Sequence, residues 1–578
     1  MRILLVARAF NRLTQRLWVE LERRGHWPTL ELDVNDAVLA EAVALARPDL
    51  LIASYLTRAL PETITRAVRC LVVHPGPPGD RGPSSLDRAI LEGRSEWGVT
   101  LLEAEPELDA GPVWAHRSFA MRAASKSSLY RNEVAEAAVA CVLEAIERLA
   151  DPGFRPVRRP GPFRPKLDPA ERRIDWARDP AELILRKIRW ADGTPGVEDE
   201  LCGLPVRLYD AHEEGLLRGP PGALLARREE AVCRATVDGA VWIGWLRPPA
   251  PPEQRPFKVP ATLALADRLE GVPELPPPLD PEIPSYRPMV YLEEGGVGRL
   301  RFTPRAGALG TAQARRLLDA LRRALARPIR VLLLEGGTDF WCSGMNLATI
   351  EAAASPAAES LANIEAIDDL AEALIRADHV HTIAVLAADA GAGGAFLALA
   401  ADEVIARADV LLSPHYKNMG NLYGSEYWTY LLPRRAGERG REVLAARLPV
   451  GASEARRLGL VDTVLDLPPA AFAMAVLDHA RRLAADPALP RLLAAKRARL
   501  AADEAKKPLS AHRAEELAQM RRNFFGFDPS YHLARYHFLT RVPHARTPFH
   551  LARHRTGREG AHPRSRPSSH DQPERIRP

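Results

Sequence analysis

The sequence predicts a multidomain α/β protein. It has an open, mostly parallel sheet first, a small β-barrel next, and a second α/β domain with C-terminal helices last. Three observations lead there. Strand-length apolar runs alternate with amphipathic helix-length segments up to about residue 160, the pattern of a parallel sheet covered on both faces. Short strands bounded by Gly and Pro follow, at the spacing of a small barrel. The proline-rich stretch Pro273 to Pro288 then precedes a second round of alternation. With 578 residues the chain outgrows one core, and about three or four domains are expected. The expected boundaries are 1–160, 161–275, a linker at 276–288, 289–545, and a basic, disordered tail at 546–578.

Composition narrows the class. An apolar fraction of 46% and a charged fraction of 26% are those of soluble globular protein. No apolar run reaches the roughly 18 residues of a membrane span, and Met1 to Arg8 reads as a buried strand rather than a signal peptide. Five cysteines lie far apart without a C-x-x-C pair, which argues against a zinc ribbon or a disulfide framework and fits the cytoplasm. No metal is expected. The net charge is only +5, with much of the excess in the Arg- and His-rich stretch from Arg541. That stretch lacks the interleaved aromatics of a nucleic-acid arm, so neither nucleic acid nor membrane is expected as a partner.

In order, Ile3 to Ala7 is a strand, Thr14 to Arg24 a helix ending at Gly25, Ala37 to Ala46 a helix and Leu50 to Ser54 a strand. The next strand, Cys70 to Val73, delivers His74 and is stopped by Pro75 and Gly76. A side chain placed this way sits at the carboxyl edge of the sheet, where open α/β sheets bind ligands. A strand at Gly98 to Leu102, the turn Asp109-Ala110-Gly111 and a long helix at Leu129 to Ala150 complete the first domain. A histidine satisfied within a turn is the structural alternative for His74, as turn formation is for Asp109. Arg81 and Asp87 are weaker candidates, for which capping or surface roles serve equally well.

In the second domain a helix runs through Ile188, followed by strands near Leu204 to Tyr209, Ala231 to Thr236 and Ala240 to Trp245. The proline-rich linker is expected to be stiff and to join neither neighbour. Beyond it, Val290 to Leu292, Val297 to Phe302, Ile329 to Glu335 and His381 to Ala387 read as strands, and Leu309 to Leu325 as a helix. Gly391-Ala392-Gly393-Gly394 opens a helix at Ala395 to Ala401. It matches neither G-x-G-x-x-G nor G-K-[ST], so no dinucleotide or P-loop site is indicated. Arg491 to Met520 is a helix pair broken at Pro508, and the aromatic segment after it is expected to pack back onto the third domain.

The segments "RPDLLIASYLTRALPETI", "CLVVHPGPPGDRGPSSLDRAI" and "WGVTLLEAEPELDAGPVWA" resemble the catalytic domain of 10-formyltetrahydrofolate-dependent formyltransferases. That resemblance implies a formyltransferase-type sheet, catalytic His74 and Asp109, and folate contacts at Tyr55, Leu60 and Asp109. It also implies that the second domain is the OB-like barrel of methionyl-tRNA formyltransferases. Where the family has Asn two residues before its histidine, this chain has Val72. The chemistry is coherent, because formyl transfer passes through an oxyanion that needs a positioned donor, and a histidine held by a carboxylate supplies one.

The Ser343-Gly344-Met345-Asn346-Leu347 turn, with a Gly-Gly helix start roughly 50 residues later, is similar to the enoyl-CoA hydratase/isomerase (crotonase) family and its ββα spiral. The resemblance implies an oxyanion hole from the Met345 and Gly393 amides and coenzyme A contacts at Arg305, Ala308, Gly344 and Gly394. The two hydratase glutamates are missing. Phe396 stands at the first, and His415 or Tyr416 at the second, so hydration of a double bond is not expected. Glu426 lies in an apolar, aromatic segment, where a carboxylate is costly unless paired or functional.

A formyl-donor domain fused to a CoA-thioester domain resembles the HypX/HoxX-type [NiFe]-hydrogenase maturation proteins over nearly the whole chain. That resemblance implies formyl transfer from 10-formyltetrahydrofolate to CoA, then decarbonylation of formyl-CoA to CO and CoA. Hydrogenase maturation proteins would receive the CO. Tyr416 and Glu426 are the candidate catalytic pair for the second step. Two other readings stay open: a tRNA or other formyltransferase with an accessory acyl-CoA domain, and a non-catalytic assembly scaffold.

Overall fold

The computed structural model describes residues 1–556. The first domain is a six-stranded sheet in the order Trp27–Leu32, Arg2–Ala7, Leu50–Tyr55, Cys70–His74, Glu96–Glu103, Val113–Ala120. The first four strands run parallel, and the last two are antiparallel additions. Leu71 and Val73 join one apolar cluster, and Cys70 and Val72 the other. The period-2 pleat therefore fills both faces and leaves the last residue, His74, at the carboxyl edge.

Trp27–Leu32 was not anticipated, because Pro28 disfavours a strand. It lies at the sheet's edge, where a missing N–H is tolerated. The expected helix from Leu129 is a short helix, Lys126–Leu129, a wide turn at Tyr130–Val134, and then Ala135–Leu149.

The segment expected as a small barrel is an antiparallel β domain. Its strands run Val197–Leu201, Leu204–Glu214, Ala240–Arg247, Ala231–Ala235, Leu224–Arg228, with Val259–Pro260 beside Ala240–Arg247. The proline-rich linker is not free of its neighbour. The Arg228 guanidinium donates to the carbonyls of Leu275, Pro276 and Tyr286, and the Tyr286 ring packs near Trp242. Prolines keep their carbonyl acceptors while lacking a donor, and one buried arginine uses three carbonyls of this stretch.

The third domain carries a six-stranded sheet in the order Met289–Glu294, Val297–Phe302, Val331–Glu335, His381–Leu386, Glu403–Arg407, Thr463–Leu465. A second sheet joins Phe340–Cys342, Asp389–Gly391, Leu411–Ser413 and Val450–Gly451. Helices Leu489–Lys506 and Leu509–Phe525 part at Pro508 as expected. Ser530–Thr540 packs back on this domain, burying Tyr531, whose hydroxyl lies 2.8 Å from Ser360 Oγ.

The tail expected from 546 begins as ordered structure. Leu30 N–H donates to the Leu551 carbonyl at 3.0 Å, and Leu32 N–H to Thr547 Oγ1 at 2.7 Å. Thr547 and His554 both bond Glu31, which is fully buried. The chain thus returns from the third domain to cover the open edge at Trp27–Leu32. The rest of the expected tail, 557–578, lies outside the described residues. Among the described residues all five cysteines are free, and no helix is long and apolar enough to cross a membrane.

Candidate active sites

At the first site His74 is 3% exposed and sits between two carboxylates. Its Nε2 lies 3.0 Å from Asp80 Oδ2, and its Nδ1 lies 3.4 Å from Asp109 Oδ1. Burial alone would lower its basicity. The hydrogen bonds and charges of Asp109 and Asp80 outweigh it and hold His74 at about 9, while both carboxyls are drawn below their usual range. At neutral pH this is an imidazolium with a charge-assisted hydrogen bond to Asp80 and the Asp109 carboxylate 3.4 Å from its other nitrogen.

Local geometry explains the sequence around it. Asp109 is left-handed (φ 55°) in its D-x-G turn, and its Oδ2 accepts the Gly82 N–H at 3.0 Å. A Cβ on Gly76 would come within 2.5 Å of His74 Nε2, Asp80 Oδ2 and Ser85 Oγ, so only glycine lets the three converge.

Asp80 is the partner of His74 that sequence reasoning missed. It lies in the same Pro-Gly-rich stretch as His74, where it reads as a turn former. Arg81 instead donates to Glu107 and to the Leu108 carbonyl, and Asp87 pairs with Lys126. Tyr55 stands at the end of the neighbouring strand, edge-on to Tyr130. Leu60 packs in the apolar cluster that includes Val72. Val72 shares the face of its strand with His74 and brings no polar atom there.

The second site converges on Glu426, which is 1% exposed. A Cβ built on Gly393 would lie 2.0 Å from Glu426 Oε1, so the carboxyl rests against the start of helix Gly393–Leu399. The first amides of a helix have no partner within it and point outward as donors. Gly344 brings the second turn alongside: its own Cβ would lie 3.2 Å from the Gly393 nitrogen. Ala308–Leu309 pairs with Gly344–Met345 and fixes that turn. A Cβ on Gly394 would strike the Cys342 carbonyl at 2.2 Å, which requires glycine there.

Glu426 Oε2 lies 2.6 Å from Tyr416 Oη, which is also 2.9 Å from the Ser425 carbonyl. Tyr416 stacks on Phe396 with centroids 5.2 Å apart and planes at 13°. Of the two residues near the second glutamate position, Tyr416 is thus the one that reaches Glu426. His415 is half-buried, its Nδ1 has no partner among the described residues, and burial lowers it to about 4. Burial raises Glu426 to about 7, with the Tyr416 hydrogen bond opposing and the Glu516 charge adding to the rise.

Arg305 does not join this cluster. Its guanidinium contacts Asp192 at 2.5 Å and Asp210 at 2.9 Å, both from the β domain.

The domains carrying the two sites are bolted together. Arg12, buried in the first domain, binds Asp389 at 2.7 Å, Asp409 at 3.0 Å and the Arg131 carbonyl at 2.8 Å. Asp389 opens the strand that leads into Gly393. The Arg131 carbonyl belongs to the wide turn at Tyr130–Val134, so the irregular helix takes part in the joint. Next to it Ser128 and Asn132 both bond Asp339.

These features define a formyltransferase-type domain joined to a crotonase-type domain. Residues 30–146 match the formyl transferase family model, 166–255 the formyl transferase C-terminal domain, and 293–525 the enoyl-CoA hydratase/isomerase family. The hydrogenase maturation factor HoxX of Bradyrhizobium diazoefficiens is 52% identical over 97% of this chain and 99% of its own length. The crystal structure of HypX from Aquifex aeolicus in complex with tetrahydrofolic acid is 44% identical. It superposes with a TM-score of 0.93 over 96% of this chain and 99% of that one. The methionyl-tRNA formyltransferase of Dechloromonas aromatica is 29% identical over 36% of this chain and 69% of its own length. The chain belongs to the HypX/HoxX family of hydrogenase maturation factors.

Proposed function

We propose that this protein makes carbon monoxide for hydrogenase maturation in two steps, one at each site. In the first, the formyl group of 10-formyltetrahydrofolate passes to the thiol of CoA, giving tetrahydrofolate and formyl-CoA. The His74 Nε2–H, which rests on Asp80 in the free site, turns to the formyl oxygen as it becomes an oxyanion, while Asp109 beside Nδ1 keeps the ring charged and aimed. Tyr55 and Leu60 flank the folate. In the second step the thioester oxygen lies on the Met345 and Gly393 amides. Glu426 takes the formyl proton, CO departs, and the thiolate recovers that proton from Glu426, so atoms and charge balance.

The observation that carries this reading is the place of Glu426. A buried carboxylate poised near neutrality lies against the oxyanion-hole glycine, while Phe396 occupies the position of a hydratase glutamate. A base there, with phenylalanine where a hydratase has its other glutamate, suits removal of one proton from a small acyl group. The Ala308, Gly344 and Gly394 backbone is the expected CoA contact. Arg305, already paired with two carboxylates, contributes by joining the β domain to that loop.

Incubation with 10-formyltetrahydrofolate and CoA, with a haem probe for CO, tests the proposal. CO should appear only with both substrates, and Glu426→Gln should release tetrahydrofolate and accumulate formyl-CoA without CO. Undiminished CO from that variant would exclude Glu426 as the base.

A further inference from the structure

Glu426 sits on an improbable piece of backbone. Glu426 (φ 58°) and Tyr427 (φ 60°) are consecutive non-glycine residues in the left-handed region, a conformation that persists only where its surroundings impose it. Two carboxyls that the proposed reaction does not use surround this turn. Asp368, in helix Pro356–Ile375, accepts the Glu426 N–H on Oδ1 at 2.8 Å, and its Oδ2 lies 2.9 Å from Ser425 Oγ. Glu516, in helix Leu509–Phe525, accepts the Tyr427 N–H at 3.0 Å and the Thr429 N–H at 2.8 Å. Its Oε2 is also 3.3 Å from Ser425 Oγ. Asp368 and Glu516 are both fully buried.

Two helices far apart in sequence therefore each place a carboxyl inside the core, and both address the same few backbone amides. Burying a carboxyl is costly. Here the oxygens are satisfied by the two amides of the left-handed pair and by the Thr429 amide in the first turn of helix Trp428–Ala436, a position without a partner inside the helix. We propose that Asp368 and Glu516 are positioning residues for Glu426: they clamp the Ser425–Thr429 turn through its backbone and so lay the Glu426 carboxyl on Gly393. The inference rests on Glu426 being the base of the second step.

The charge around the turn supports the assignment. The groups facing Glu426 and its clamp are Tyr416, Cys342, Asp368, Glu516 and Arg513, with Glu372 and His512 at the margin through Tyr427 and Thr429. Arg513 Nε lies 3.9 Å from Asp368 Oδ2. Three buried carboxyls beside that guanidinium cannot all be ionised, and burial with the charges of Glu426 and Glu516 drives Asp368 well above its ordinary value. Asp368 accepts the Glu426 N–H on Oδ1 and the Ser425 hydroxyl on Oδ2; asparagine keeps the acceptor for the amide and alanine keeps neither.

The test uses the full-length protein and supplied formyl-CoA, with release of tetrahydrofolate at the His74 site reporting that each variant is folded. Asp368→Ala should lower kcat for CO release on the order of 10²-fold with KM unchanged, the scale of a displaced catalytic group. Asp368→Asn should regain most of that loss. Glu516→Gln removes a like charge and one of the two acceptors that hold the turn, so the acid limb of the CO-release profile should move to lower pH while kcat falls. Wild-type kcat in Asp368→Ala, or an unmoved acid limb in Glu516→Gln, would overturn the clamp while leaving Glu426 as the base. Full CO release by Glu426→Gln would instead overturn the reading of the site itself. A general loss of both activities in Asp368→Ala, unrelieved in Asp368→Asn, would mark a purely structural role and count against the proposal.

Discussion

His74 and Glu426 are both sealed from solvent beside two further carboxyls, yet those neighbours push them in opposite senses. At His74 the partners carry the opposite charge, so the ring stays protonated up to about 9. At Glu426 burial raises the acid and the like charge of Glu516 adds to the rise against the Tyr416 hydrogen bond, so the acid gives up its proton only near 7. Carboxylates fix one centre as a permanent donor and leave the other free to take and return a proton. The contrast suits the two proposed steps. A tetrahedral oxyanion needs a cation that does not change, whereas decarbonylation needs a base that is regenerated in each turnover.

The largest expected effect separates the centres outright. His74→Ala should lower formyl transfer by about 10³-fold, within the range for losing a general acid–base group. CO release from added formyl-CoA should stay at its wild-type rate. Transfer and release falling together would show that the centres are not independent.

Asp109→Asn should act through His74. Removing one opposite charge lowers an imidazole by about one to three pH units, so the alkaline limb of formyl transfer should retreat toward neutrality. The rate should be nearly unchanged near pH 6 and about tenfold down near pH 8. A profile that keeps its alkaline limb would mean that Asp80 alone holds the charge.

The same linkage has a stability side. His74 is raised on folding, so its contribution is complete below its unfolded value of 6.5 and is lost as pH rises through about 9. The raised value corresponds to about 3 kcal/mol of local stability. Amide exchange in Cys70–His74 should therefore quicken across that window, and much less so in Asp109→Asn. At Glu426 the sign is the same in a lower window: a carboxyl raised by burial favours the folded state most fully below its unfolded value of 4.5, and that advantage is lost as pH rises through about 7.

The smallest effect is expected from Tyr416→Phe, which removes one hydrogen bond to Glu426 and keeps the stack on Phe396. A bond to a charged group contributes about 1.5–3 kcal/mol, so CO release should drop about tenfold, with the acid limb moving to higher pH. A loss as large as that of Glu426→Gln would make Tyr416 a participant in the proton transfer rather than its support.

How much of this was legible follows from how local each feature is. His74 could be read because a strand, a stop and a turn lie within seven consecutive residues, and Glu426 because a carboxylate among tyrosines and leucines is conspicuous. The α/β class of the first and third domains was readable from alternation and the β character of the second from short strands bounded by Gly and Pro, whereas the OB-like and crotonase assignments rested on resemblance. Asp80 was hidden in plain sight, since an aspartate after Pro-Gly is what any turn would carry. Asp368 and Glu516 lie on helices with many charged residues, where an acidic residue ordinarily belongs to the solvated face. Only the packing of two distant helices turns them inward. Arg12 is similar: its partners Asp389 and Asp409 lie almost four hundred residues away, and neither helix pattern nor spacing encodes such a pairing.

The strap from Thr547 to Ala552 has a consequence for the order in which the chain is made. Trp27–Leu32 leaves the ribosome more than five hundred residues ahead of its covering strap. At about 5–20 residues per second that interval is about 25–100 s. Through it the nascent first domain presents a bare sheet edge of the kind that recruits other chains. Pro28 withholds one donor from that edge, and so stands guard during synthesis over a border that the C-terminal strap closes for good.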